Sequence, residues 1–328
     1  MSTEVQKPAL PTTLALLLSM VAGLAIAAQG RVNGALALKV EHPIYASLIS
    51  FTVGFIVLLS FLTLKNNRAA MSRVLPVLKA RKFPWFYLGA GIFGAYFVIS
   101  QAIAAPLLGI ALYTVAVVTG QTLGGLVVDL AGFGPAGRKY PTVVRVIGAL
   151  LTVVAVFWTV SDRLVGPDAV DFLPLILPFL AGFVNQAQQA MNGIQTMHYS
   201  SPYPGTVFNF VAGTLFLFIV WFADVVQGTP VAPLPTEWWY YLGGPLGVTF
   251  VGLGALLVRR LGVLVLGMGM IAGQLLGSLL IDVLFPAPGT ALSSATYIGT
   301  LLTFVAVLIA STPRGGFGGY LRLISRAK

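Results

Sequence analysis

The chain has 328 residues, of which 57% are apolar and only 9% charged, and its mean hydropathy is +0.92. This composition excludes a soluble core and points to a polytopic membrane protein. With no cysteine there is no disulfide framework, thiolate metal site or cysteine nucleophile, and the net charge of +10 has to be explained by where the basic residues lie.

Residues 1–11 form a short polar tail. The apolar run from Thr12 to Ala28 has the shape of a signal peptide, with Ala25-Ile26-Ala27 as its cleavage site. An internal repeat described below continues through this site, so the run reads as a retained first span. Runs of about 18–24 apolar residues cross a hydrocarbon core about 30 Å thick. On that basis the first half holds spans Thr12–Gly34, Ile44–Leu64, Pro84–Ala104, Leu107–Gly132 and Val143–Ser161. The second holds Phe172–Thr196, Pro204–Asp224, Glu237–Val258, Leu261–Phe285 and Ala295–Ser311. The fold class expected is therefore all-α integral membrane, with ten transmembrane helices.

The two halves repeat one another. Gly23, Gln29, Asn33 and Gly34 fall on Gly182, Gln188, Asn192 and Gly193, and the match runs on through Pro43 on Pro202, Phe51 on Phe210 and Gly54 on Gly213. A second block sets Trp85 on Trp238, Gly94 on Gly247, Gly109 on Gly262, Gln121 on Gln274 and Asp129 on Asp282. The chain is a tandem duplication with copies at 1–165 and 166–328. Five spans is an odd number, so the second copy enters the membrane inverted. Inverted repeats about an axis in the membrane plane are a recurrent transporter design, because each copy can adopt the conformation the other holds.

Lysine and arginine set the orientation. Sixteen of them fall on the side of the N-terminus and three (Arg31, Lys39 and Arg163) on the other, which makes both termini cytoplasmic. The basic charge is thus a topology signal and an attraction to anionic lipid, not a nucleic-acid footprint.

The densest polar signal is in the sixth span. Asn185, Gln188, Gln189 and Asn192 stand at i, i+3, i+4 and i+7, so one helical face carries four primary amides. An unpaired amide in hydrocarbon costs about 2–7 kcal/mol, so the face turns to protein or to water. It is either helix-to-helix glue or the wall of a cavity. In the cavity reading, the substrate-binding set is Gln29, Asn33, Gln121, Asn185, Gln188, Gln189, Asn192 and Gln274, amides that both donate and accept.

Three charged residues are candidates for coupling or gating. Asp129 and Asp282 occupy equivalent positions near the ends of their spans, Asp129 on the cytoplasmic side and Asp282 on the outer side. Each reads as an interfacial cap or arginine partner, or as a gate or proton-coupling carboxylate. Arg31, just past Gln29, is a snorkelling charge or an anion contact at a cavity mouth. Gly89-Ala-Gly91-Ile-Phe-Gly94 matches a dinucleotide fingerprint literally but lies in an apolar span with no strand before it, so it is rejected. His42 and His198 have no helical partner at metal-ligand spacing. Rows such as Ala116, Gly120 and Gly124 let helices approach closely, and Trp85 and Trp238 read as interface anchors.

Ten spans as five plus five inverted, with cytoplasmic termini, resemble the drug/metabolite transporter superfamily. Within it, Gln29-Gly-Arg-Val-Asn33-Gly34 followed by His42-Pro43, and Gln188-Gln-Ala-Met-Asn192-Gly193 followed by Ser201-Pro202, resemble the YdcZ-like inner-membrane exporters in their fused form. The second copy departs from the motif, with Ala190 for Arg31 and Ser200-Ser201 for Glu41-His42. The resemblance implies a multi-pass protein of the inner (plasma) membrane with a cavity between its halves. It implies a small polar metabolite or drug-like molecule as substrate, with a proton or other ion as coupling partner and the lipid bilayer as surroundings. No nucleic acid, cofactor or metal is expected, and the assembly is a monomer or homodimer. A channel, or a non-transporting scaffold or regulator, is the alternative. An integral membrane enzyme would need clustered His, Cys or acidic residues that the spans lack.

Overall fold

The computed structural model describes residues 11–160 apart from Phe133, Ala136 and Lys139, then 173–286 and 293–310. The proposed boundary between copies, at 165/166, and the basic residues Lys7, Lys139, Arg163, Arg314, Arg322, Arg326 and Lys328 lie outside these. Every α-helix described is packed in one bundle: α1 Thr12–Val40, α2 Pro43–Ser60, α3 Lys65–Met71, α4 Val74–Lys79, α5 Gly91–Leu108, α6 Ile110–Ala131, α7 Val143–Val160, α8 Leu173–Tyr199, α9 Pro202–Val226, α10 Gly243–Leu284 and α11 Ser294–Ala310. Among the described residues, six helical segments are long and apolar enough to cross a membrane. The large apolar side chains left exposed, such as Leu17, Ile56, Val154, Ile219 and Leu301, face outward from helices, as a lipid-facing surface requires.

The start and stop signals work as local chemistry dictates, though α1 and α8 run past the predicted ends at Gly34 and Thr196. Both stop at a residue in the left-handed region, Glu41 (φ 54°) and Ser200 (φ 54°), which occupy equivalent positions. The next residue caps the following helix: His42 Nδ1 accepts the Tyr45 N–H at 3.3 Å, and Ser201 Oγ accepts that of Tyr203 at 3.3 Å. Pro43 and Pro202 then occupy the first helical position, where a missing N–H costs nothing. His42 is thus a helix cap, which the serine of the second copy replaces.

Other boundaries differ from the sequence reading. The spans expected to start at Pro84 and Glu237 open with single 3₁₀ stretches, Trp85–Ala90 and Trp238–Leu242. The break expected at Ala105-Pro106 falls at Gly109 (φ 79°, ψ 160°), a backbone conformation suited to glycine, while Pro106 stays inside the last turn of α5. The basic stretch after α2 forms the two short helices α3 and α4.

The run α10 covers two predicted spans as one helical stretch, and it doubles back. A straight helix would hold Gly254 and Met270 about 24 Å apart. Here Met270 Cε lies 3.6 Å from where a Gly254 Cβ would stand, and Leu253, Leu257, Leu261 and Leu266 share one apolar cluster with Ala15. The first limb of α10 runs antiparallel to α1, with Gly243 beside Asn33 and Gly247 beside Gln29. The second runs parallel to it, with Gly269, Gly273 and Gly277 beside Ser19, Met20 and Leu24.

From these contacts the relative sense of the copies follows. The start of α6 sits at the end of α10, and Val115 and Val118 pack with Ile271 and Leu275, so α6 is antiparallel to the second limb and to α1. It runs parallel to α8, with Gly120 against Phe179 and Gly124 against Phe183. Hence α8 points opposite to its counterpart α1. The small-residue rows are packing surfaces, as their spacing predicts.

Candidate functional site

A cavity of about 90 Å³ lies between the copies. That volume holds several waters, since about 10–15 Å³ of such space holds one. Its walls come from α1, α2, α5, α6, α8, α9 and α10. Six of the eight predicted amides line it: Gln29, Gln121, Asn185, Gln188, Gln189 and Asn192. Phe51, Phe97, Phe210 and Phe250 supply apolar wall between them.

The amides of α8 are joined head to tail. Asn185 Nδ2 donates to Gln188 Oε1 at 3.0 Å, and Gln188 Nε2 donates to Asn209 Oδ1 at 3.3 Å. Asn209 Nδ2 in turn donates to Asn192 Oδ1 at 2.7 Å and to the Gly205 carbonyl at 2.9 Å. Glycines make room for the two central glutamines. A Cβ at Gly94 would come within 2.7 Å of Gln188 Nε2, and one at Gly247 within 2.7 Å of Gln29 Nε2. Gln29 is oriented by donating from Nε2 to the Gly243 carbonyl at 3.1 Å.

Two predicted amides are elsewhere. Asn33, the counterpart of Asn192, is fully buried and donates to Gln101 Oε1 at 2.7 Å. Gln274, the counterpart of Gln121, is 2% exposed and lies outside the cavity wall, whereas Gln121 is half-buried within it. The copies match in sequence at these positions but not in exposure. The further amide Gln195 lies three residues beyond Asn192 and binds helices together, donating to the Tyr87 carbonyl at 2.9 Å.

Sequence reading missed Asn209 and Gln101. Each is a lone amide in an apolar span, and that was its signal. Comparison between copies obscured both, because Ser50 stands where Asn209 does and Gly254 where Gln101 does. Ser50 also lines the cavity, and its Oγ, 2% exposed, has no protein partner among the described residues.

The three charged candidates are bonded away from the cavity. Asp282, 4% exposed, accepts the N–H of Ile110 at 3.0 Å and of Ala111 at 2.7 Å, so it caps α6 from the other copy. Asp129 pairs with Arg145 at 3.0 Å. Arg31 donates to the Pro286 carbonyl at 3.3 Å. On the Asn33 side an ion pair, Lys39–Glu237 at 3.4 Å, joins the copies, and His42 Nε2 lies 3.6 Å from Asp224 Oδ2.

Comparison with known proteins agrees with this architecture. One family model, described as "Putative inner membrane exporter, YdcZ", matches the chain twice, over residues 14–158 and 173–309. No curated protein matches. A crystal structure of a protein 21% identical to this chain is similar with a TM-score of 0.51, over 91% of this chain and 95% of that one. At that identity the likeness speaks for the fold alone. The two family matches cover nearly all of the apolar helices and carry both amide motifs, so the chain is an inner-membrane protein of the drug/metabolite transporter superfamily and belongs to the YdcZ family in duplicated form.

Proposed function

We propose that this protein is a secondary transporter that exports a small polar metabolite or drug-like molecule by alternating access of its two copies. In this reading ten crossings place both termini in the cytoplasm, the doubled-back α10 supplies two of them, and the copies are inverted in the bilayer. Gln29, Gln121, Asn185, Gln188, Gln189 and Asn192 bind the substrate in the state described, and Asn33 and Gln274 exchange into the path in the other.

The observation that carries this reading is the unequal state of equivalent amides. Asn192 is half-buried on a cavity wall while Asn33 is sealed, and Gln121 lines the cavity while Gln274 is buried. Two copies of one sequence motif held in two conformations are what a rocking mechanism needs, because exchanging the conformations moves the opening to the other side. Asp282 ties α6 to the end of α10 on the sealed side and acts as a gate there, with Asp129 and Arg145 at the opposite end of α6. An exporter is not an enzyme class, and the family description supports transport rather than catalysis.

The test is flux. A thermal-shift screen of metabolites on purified protein identifies a ligand, which is then followed in proteoliposomes. Saturable uptake with accelerated exchange against internal ligand is expected. Flux linear in concentration with no counterflow would mean a channel.

A further inference from the structure

The transport reading leaves the chemistry of the cargo open, and the hydrogen-bond polarity of the cavity narrows it. Amide oxygen and nitrogen are alike in shape, so the sense of an amide chain must be set by a group that cannot be reversed. The Gly205 carbonyl is such a group. It only accepts, so the atom of Asn209 facing it at 2.9 Å has to be the nitrogen.

Every other orientation follows. Asn192 must present Oδ1 to Asn209, and its NH₂, on a residue of the cavity wall, has no hydrogen bond to protein among the described residues. Gln188 must give one N–H to Asn209 Oδ1 and accept from Asn185, leaving its second N–H uncommitted to protein. Both N–H groups of Asn209 are used, so it is a positioning residue, and it fixes Asn192 and Gln188 in the orientation that keeps their N–H groups available to a solute.

Charge is the second observation. Among the described residues lining the cavity there is no Asp, Glu, Lys, Arg or His. The charged candidates are engaged elsewhere: Asp129 by Arg145, Asp282 by the start of α6, Arg31 by Pro286. With no charged side chain among these, a cation or an anion would be left without a counter-charge away from water, which is costly for either. Phenylalanine rings, Phe51, Phe97 and Phe210 among them, complete the wall and suit an apolar body.

We infer that the cavity selects an uncharged amphipathic solute, with a carbonyl-type acceptor taken by Asn192 and Gln188 and an apolar body against the phenylalanines, and that Asn209 sets this preference. The inference rests on the transport reading only in taking this cavity as the binding site.

The experiment uses three near-isosteres that differ in charge: benzamide, benzoate and benzamidinium. Binding of radiolabelled benzamide to the purified full chain is measured at pH 7, with the other two as competitors. Benzamide should bind at least about tenfold more tightly than either ion, a gap the loss of one well-placed hydrogen bond or an unpaired charge can produce. Asn209→Asp replaces the anchored donor by acceptors and should shift preference toward benzamidinium. Asn209→Ser, copying the first copy's Ser50, should weaken benzamide while keeping the melting temperature within a few degrees. Equal or tighter binding of either ion to the unmodified chain, with Gln188→Leu abolishing it, overturns the neutral class but keeps the cavity. Benzamide binding indifferent to Asn209→Asp and Gln188→Leu places the solute elsewhere and overturns both readings. Failure of benzamide to bind overturns the inference, while the flux experiment still decides transport.

Discussion

Phe51 and Phe210 meet with ring centroids 5.1 Å apart, and each ring also lies over the glycine that follows its partner by three residues. Phe210 covers Gly54 and Phe51 covers Gly213. These are equivalent positions of the two copies, and reciprocal contact of this kind is the mark of a two-fold relation. The local axis therefore passes between the two rings, beside the cavity they help to line.

A side chain at either glycine has to displace a ring in the centre of the bundle. Gly54→Leu and Gly213→Leu should each destabilise the protein by about 1–3 kcal/mol, the usual cost of overpacking. The double substitution should cost less than the sum, because both act on the same pair of rings. Thermal unfolding of the four proteins in detergent measures this; strict additivity would mean that the two contacts are independent.

Equivalent asparagines should respond differently to the same change. Asn33→Ala strands Gln101 Oε1 in a fully buried position, at about 1–3 kcal/mol. Asn192→Ala, on the wall of a cavity with room for water, should cost less than about 1 kcal/mol and act instead on ligand affinity. Melting temperature and affinity measured together check both. A large stability loss at Asn192 with unchanged affinity would make the amide face helix glue.

The two aspartates differ in the same way. Asp282→Asn keeps only one of the two acceptor oxygens that hold Ile110 and Ala111, and should cost about 1–3 kcal/mol. Asp129→Asn breaks a partly exposed pair with Arg145 and should cost less than about 1 kcal/mol. If either carboxylate couples proton flow, its asparagine variant should lose gradient-driven transport and retain counterflow. Unchanged driven transport in both leaves capping and pairing as their only roles.

The membrane orientation can be read with single cysteines, since the native chain has none. Ser72, in the basic segment between α3 and α4, should be protected from an impermeant thiol reagent in intact cells. Gln227, just past the end of α9, should be labelled. The reverse pattern would invert the topology drawn from lysine and arginine.

Much of this protein is legible in one dimension because the relevant physics is local or periodic. Apolar runs mark the helices, and Glu41-His42-Pro43 and Ser200-Ser201-Pro202 stop one helix and start the next through backbone conformation and capping within four residues. The spacing of Asn185, Gln188, Gln189 and Asn192 places them on one face whatever surrounds it. The duplication is a property of the string itself. What only the tertiary structure decided is which members of each equivalent pair face the cavity. Asn33 and Asn192, or Gln121 and Gln274, carry the same signal, but their exposure depends on how the two copies pack against each other, and the cavity reaches Asn192 and Gln121 but not their counterparts. Asn209 and Gln101 were hidden for a related reason. Each acts through an amide on another helix, so its role exists only once α9 lies against α8 and α5 against α1.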